Sequence, residues 1–413
     1  MRRSGMVVAA AALLAVLGLS PVWSNAQEIH IGAVYPFTGP LGALGNAAFA
    51  GAEVAVEVVN ETGGVGGRKV VLVKADAPSP AESTNEAERL ITQQKVRVLI
   101  GSYSSSISLA ASAVAERNRA VWMEMGAMAD SLTGRGHKLT FRTSATTGQV
   151  GAGAVTFIKD ALAPAMKIPT NQVKVAIMHE ESAFGTAVMD SAVKALEGVG
   201  IKPLVREPYN SRVTDLSPLV LKLKGLNPDV VLMTTYINDG ILFMRQAKEL
   251  GFRPKAFINS GGTTTVADFY KALGKDALGA FDIDGVGADV NPALLTPALR
   301  QELDAFVKRY QAKTGSFPPS TAVNSYVSMM VLLRDALPKA GDDPVKIREA
   351  LLALDKPLGS SINGWGVKYG PDGQNTRALI GARQWQGERP VLVWPADAAT
   401  AKPNRVPLPA WGQ

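Results

Sequence analysis

The chain has 413 residues, a formal charge of +7 and no cysteine, which excludes a disulfide framework, a thiolate metal site, a thiol nucleophile and lipoprotein acylation. Its basic residues occur in isolated groups such as Gly67-Arg68-Lys69, the pattern of a solvated face and not of the patch or stripe that nucleic acid requires. This length exceeds one core of ordinary size, so two lobes are expected, and without cysteine their stability must come from packing.

Residues 1–26 read as a secretory signal. Met1-Arg2-Arg3 is a positive n-region, Met6 to Leu19 is an apolar run about fourteen residues long, and Ser24-Asn25-Ala26 is a small-polar-small cleavage site. The run is too short to span a bilayer of roughly 30 Å, and no later segment is expected to reach the ~20 apolar residues that would. The mature chain is therefore expected in the periplasm, not inserted in the membrane, with a charge of about +5 once Arg2 and Arg3 are removed.

Apolar segments of strand length alternate with helical patterns through most of the remaining chain, the signature of βαβ units and a largely parallel sheet. Strands are predicted at 29–34, 70–75, 96–100, 121–125 and 139–142, with helices at 47–59, 81–94 and 109–118 between them. The rhythm restarts with a helix at 150–161, then strands at 173–178, 205–209, 230–234, 256–259 and 280–284 and helices at 185–198, 216–223 and 240–250. Residues 298–354 are helix-rich, and from Lys356 the pattern becomes short strands with turns such as Asn363-Gly364 and Asp372-Gly373. So late a return to strands implies that the chain crosses between lobes more than once.

Several segments carry a family resemblance. Ile29-His30-Ile31-Gly32-Ala33-Val34 leading to Thr38-Gly39-Pro40, then Gly51-Ala52-Glu53 and Asn60-Glu61-Thr62-Gly63-Gly64-Val65-Gly66-Gly67, resemble the N-terminal segment of leucine/isoleucine/valine-binding proteins. The likeness continues through Leu99 to Ser106, Leu132-Thr133, Phe141-Arg142-Thr143, Phe184-Gly185 and Pro228-Asp229-Val230 to Tyr236. Each motif is weak alone, but their order and spacing are specific. The resemblance implies the type I periplasmic-binding-protein fold: α/β, two Rossmann-like lobes with mostly parallel sheets joined by a three-strand hinge. Crossings near Ser144, Gly285 and Asp355 would divide the chain into 27–144 plus 286–355 and 145–285 plus 356–413. It also implies a monomeric solute receptor without cofactor or metal, partnered by a small molecule and by the permease of an ABC importer.

Ligands of such sheets bind beyond the strands' carboxyl ends, near free N–H groups at helix starts. The loop Ser102 to Ser106 places hydroxyls and amide donors there, a socket for a carboxylate or carbonyl, although serines also cap their own helix. By the resemblance, Tyr103, Ser104 and Ser105 contact ligand, as does the loop Gly126-Ala127-Met128. Met128 stands where amino-acid receptors carry a threonine for the ligand carboxylate; a thioether donates no hydrogen bond and could equally be a core methionine. Gly261 stands where they carry a glutamate for the ligand ammonium, or simply marks a sharp turn. Glu124, Glu181 or Asp284 are left as possible substitutes. Phe184 and Tyr236 would close over the ligand from the second lobe, and Leu44 is a rim candidate. These departures point to an aromatic or branched carboxylate, or an amide, instead of a plain α-amino acid.

An enzyme is not expected: there is no G-x-S-x-G, P-loop, complete G-x-G-x-x-G or H-E-x-x-H motif, and the three histidines are scattered. The competing reading is a periplasmic sensor of the same fold that signals to a membrane receptor, because fold alone does not choose between delivery and sensing.

Overall fold

The computed structural model describes residues 28–412; the secretory signal at 1–26 lies outside them. The first half builds β1 (Ile29–Tyr35), α1 (Gly42–Glu61), β2 (Val70–Asp76), α2 (Pro80–Thr92), β3 (Val98–Gly101), α3 (Ser105–Arg117), β4 (Val121–Glu124), α4 (Ser131–Gly134) and β5 (Thr140–Arg142). These five strands form one parallel sheet in the order β2-β1-β3-β4-β5.

The second half begins with α5 (Thr147–Phe157) and α6 (Ala163–Met166). It continues as β6 (Val175–Glu180), α7 (Ala183–Gly198), β7 (Val205–Tyr209), α8 (Ser217–Leu226), β8 (Val230–Thr234), α9 (Ile237–Glu249), β9 (Ala256–Ser260), α10 (Ala267–Leu273) and β10 (Phe281–Gly285). Helices α11 (Pro297–Thr314), α12 (Ser320–Met330), α13 (Leu337–Ala340) and α14 (Pro344–Leu352) follow, then β11 (Ile380–Trp385) and β12 (Pro390–Trp394). The second sheet has seven strands in the order β12-β11-β10-β9-β8-β6-β7, parallel from β7 to β10 and antiparallel at β11 and β12. The fold is thus α/β with two mostly parallel sheets.

The chain passes between the sheets after β5, leaves the second sheet after β10 so that α11 and α12 pack on α1, and rejoins it at β11. Residues 356–379, where short strands were predicted, form only isolated bridges. Buried amide side chains take the place of a ladder: Asn375 Nδ2 donates to Thr143 O and Asn363 Nδ2 to Val286 O. Gln374 Nε2 donates to Ser144 O. The three connecting segments are therefore bonded to one another and not merely adjacent.

Helix α3 starts at Ser105, four residues before the sequence pattern placed it, because Ser104 is still extended and the serines that follow form the first turn. Leu44 lies in α1 and is buried in the core instead of rimming a cleft. Helix α1 is also long and apolar enough to cross a membrane, contrary to the expectation for segments after the signal. Its apolar residues are instead packed inside the protein, largely against α12.

That packing depends on a glycine. A Cβ on Gly51 would lie 2.0 Å from the carbonyl oxygen of Ala322 in α12. Gly51→Ala is expected to destabilise the fold by about 1–3 kcal/mol through overpacking, despite the ~1 kcal/mol gain in helix propensity. Chemical denaturation measures the difference; unchanged or increased stability would show that the two helices part freely.

Candidate functional site

The loops that leave the carboxyl ends of both sheets converge on one small cavity. Tyr103, Gly126 and Met128 line it from the first sheet, and Phe184, Tyr236, Gly261, Thr263 and Asp284 from the second. Thr321 and Asn324 of α12 complete the wall. The space between them is tight, about 10 Å³, room for the centre of one water. Six of the nine residues proposed from sequence line this cavity; Ser104, Ser105 and Ala127 do not.

Tyr103 reaches it through a left-handed backbone, φ 121°, a conformation that L-residues hold only when their surroundings enforce it. Its hydroxyl donates to Leu41 O at 3.2 Å, and burial raises its pKa well above the ordinary tyrosine value. Phe184 and Tyr236 stand with ring centroids 6.1 Å apart. Gly261, at φ 85°, lies directly under Phe184: a Cβ there would sit 2.2 Å from its Cζ. The ring occupies the space in which a glutamate side chain at this position would begin.

The serine loop is committed elsewhere. Ser105 Oγ accepts from Ala129 N at 3.1 Å, and Ser102 Oγ accepts from Ser104 N. Ser104 precedes the first turn of α3 without capping it by a side-chain hydrogen bond, so the leading N–H groups of this helix have no partner within it.

Buried carboxylates hold the cavity loops. Glu124 accepts from Gly126 N at 3.0 Å, Ala127 N at 2.6 Å and Trp122 Nε1 at 2.9 Å. Glu180 accepts from Ser182 N and Gly185 N, each at 2.7 Å, fixing the start of α7 and with it Phe184. Asp239 accepts from Tyr236 N and from the Tyr209 hydroxyl. Asp282 accepts from Gly262 N and Thr264 Oγ1. Burial pushes all four pKa values up, Asp239 to about 7. The loop 127–129 has a further clasp in Arg142, which is buried and donates Nη1 to Ala129 O at 2.8 Å; desolvation lowers its pKa to about 10.

The three acids left open by the sequence now separate. Glu124 is consumed by its own loop, and Glu181 is exposed and accepts from Asn210. Asp284 lines the cavity, accepts from Ser320 Oγ on one oxygen, and has no partner for Oδ1. Burial raises its pKa to about 6, opposed by the nearby Arg383 charge. Two more unpartnered atoms, Asn324 Oδ1 and Thr321 Oγ1, belong to residues of the same wall. Sequence reasoning placed α12 in a helix-rich stretch but missed its part in the cavity; the signal was a helix studded with Ser320, Thr321, Asn324, Ser325 and Ser328, all of them buried. His179, by contrast, is held between Glu180 O and Arg206 Nε and takes no part in the cavity.

The family profile described as periplasmic binding protein matches residues 28–388. The chain is 37% identical over 405 residues to Leu/Ile/Val-binding protein homolog 8 of Brucella abortus, covering 97% of this chain and 99% of that protein. The chain belongs to the Leu/Ile/Val-binding family of periplasmic binding proteins. Homolog 7 of Brucella melitensis is 35% identical over 409 residues, covering 98% of this chain and all of that one. Among solved structures, the branched-chain amino acid transporter substrate-binding protein LivJ of Streptococcus pneumoniae, in complex with isoleucine, matches with TM-score 0.76. The match has 20% identity and covers 89% of this chain and 100% of that one. A solute-binding protein of an ABC transporter from R. palustris, in complex with benzoate, matches with TM-score 0.75 and 21% identity over 92% of this chain and 99% of that one. The fold of this Leu/Ile/Val-binding family member is thus the type I periplasmic-binding-protein fold, and its family consists of extracytoplasmic substrate-binding proteins of transporters, not enzymes.

Asp284 also sets a pH dependence. An acid raised from 3.8 to about 6 binds its proton more tightly in the folded chain than in the unfolded one. Stability therefore falls as pH rises between those values, by about 3 kcal/mol for this shift. Asp284→Asn removes that contribution, so the variant is expected to gain stability relative to the parent between pH 4 and pH 7. Urea denaturation at the two pH values checks it, and an equal difference at both would remove Asp284 as the titrating group.

Proposed function

We propose that the mature protein captures a small apolar α-amino acid between two lobes and presents it, in a closed form, to the permease of an ATP-driven importer. The lobes are 27–144 with 286–355 and 145–285 with 356–413, turning about the three bonded connectors. The observation that carries the ligand class is the unpartnered Oδ1 of Asp284, buried in the cavity wall with Asn324 Oδ1 and Thr321 Oγ1. A buried carboxylate oxygen without a donor is matched by an ammonium, whereas a bare carboxylate ligand would face like charge there.

The replacement of the family's glutamate by Gly261 therefore does not exclude an amino acid. Asp284 lies against the same loop, with its Oδ2 2.1 Å from where a Cβ on Gly262 would be. In this reading the ligand carboxylate turns toward the uncapped N-terminus of α3, where amide donors and the helix dipole favour negative charge. Phe184, Tyr236 and Met128 receive the apolar side chain. The isoleucine held by the S. pneumoniae relative is of this class, and the benzoate of the R. palustris relative is not. An amide is the second reading, because Asn324 Oδ1 accepts equally from a neutral N–H and Met128 offers no hydroxyl to a carboxylate.

Calorimetry with leucine, 4-methylpentanamide and 4-methylpentanoate separates these classes. Leucine is expected to bind, 4-methylpentanoate to bind about 100-fold more weakly, and Asp284→Asn to cost leucine about 3 kcal/mol or more by leaving a buried ammonium unpaired. Tight binding of 4-methylpentanoate would overturn the assignment to an amino acid, and binding of 4-methylpentanamide alone would establish the amide.

The cavity holds only about 10 Å³ with its walls together, so entry requires the lobes to part and capture to close them. Saturating ligand is expected to lower the radius of gyration in solution scattering; an unchanged radius would remove hinge closure from the mechanism.

A further inference from the structure

A second cavity, larger than the first at about 650 Å³, lies between residues 315–320, α10 and the β11–β12 hairpin. Its volume falls in the range of small-molecule sites, which combine apolar walls with a few polar groups. The walls are aromatic: Trp385 stacks on Tyr270 with centroids 5.6 Å apart and planes 16° from parallel, and Phe317 carries the Arg389 guanidinium 5.1 Å from its ring centroid. Three basic and two acidic side chains line it. Arg383, only 3% exposed, is paired through Nε with Asp289 at 2.9 Å. Lys271 is likewise paired, with Asp268 at 3.4 Å, so Arg389, held over Phe317, is the cation of this wall that remains. Arg383 Nη1 is buried without a hydrogen-bond partner.

This cavity shares a partition with the smaller one and not a lining. Ser320 borders the larger cavity and donates to Asp284, which borders the smaller.

We propose that the larger cavity is a second small-molecule site, selective for a planar aromatic carboxylate. The ring lies against the Trp385–Tyr270 stack and Phe317, where flat apolar faces favour it. The carboxylate is met by the Arg389 guanidinium. The site stands on its own residues and does not depend on which solute the smaller cavity takes.

The probe is sodium 2-naphthoate, followed by calorimetry on the full mature chain. Saturable one-site binding is expected, weakened roughly tenfold or more in the double variant Arg389→Gln, Phe317→Ala, whose side chains are exposed or half-buried and do not support the core. Phe184→Ala, in the smaller cavity, is expected to leave 2-naphthoate affinity within about twofold. The proposal is overturned by an absence of saturable binding, or by binding that Phe184→Ala abolishes and the double variant retains.

Discussion

Buried carboxylates hold the cavity loops in place, and the rest of the site depends on that arrangement. Glu124, Glu180, Asp239 and Asp282 each accept a backbone N–H from the loop that carries a lining residue. A loop at the end of a parallel strand has amide donors that neither sheet nor helix satisfies, and a carboxylate accepts two or three of them at once. Desolvation raises each acid's pKa while these hydrogen bonds oppose the rise. Only because those four acids are occupied does the remaining one stand out, since Asp284 keeps an oxygen that the protein itself does not use.

The second dependence is on α12. It packs on α1 as part of the core around the first sheet, yet its opening turns bring Thr321 and Asn324 to the cavity that the second sheet also borders, and Ser320 to Asp284 in that cavity's wall. One helix thus serves as structural filler and as polar floor. The segment just before it, 315–320, forms the wall of the larger cavity. Small displacements of this helix are therefore felt at Asp284, through Ser320, and in both cavities.

Much of this was legible in the residues. Alternating strand and helix periods pointed to the two mostly parallel sheets, because buried parallel strands are continuous apolar runs and their crossover helices are amphipathic. Tyr103, Gly126, Met128, Phe184, Tyr236 and Gly261 were assigned to the site by the family resemblance, and they share one cavity. What remained hidden were contacts between residues far apart in the chain. Nothing local distinguishes Asp284, with its free oxygen, from Asp282, whose oxygens are taken by Gly262 and Thr264. Likewise the serines of the 102–106 loop read as ligand donors, but Ser105 Oγ is engaged by Ala129 N, twenty-four residues away. The segment 356–379 has turn residues that suggest hairpins, yet its asparagines pair with the other connectors.

The contact between Phe184 and Gly261 bears on how this receptor could change its preference. A larger residue at 261 collides with the aromatic ring and strains a left-handed backbone, while removing the ring first leaves a gap beside Tyr236. Each single step is harmful and only the pair is coherent, so the two positions are locked together epistatically.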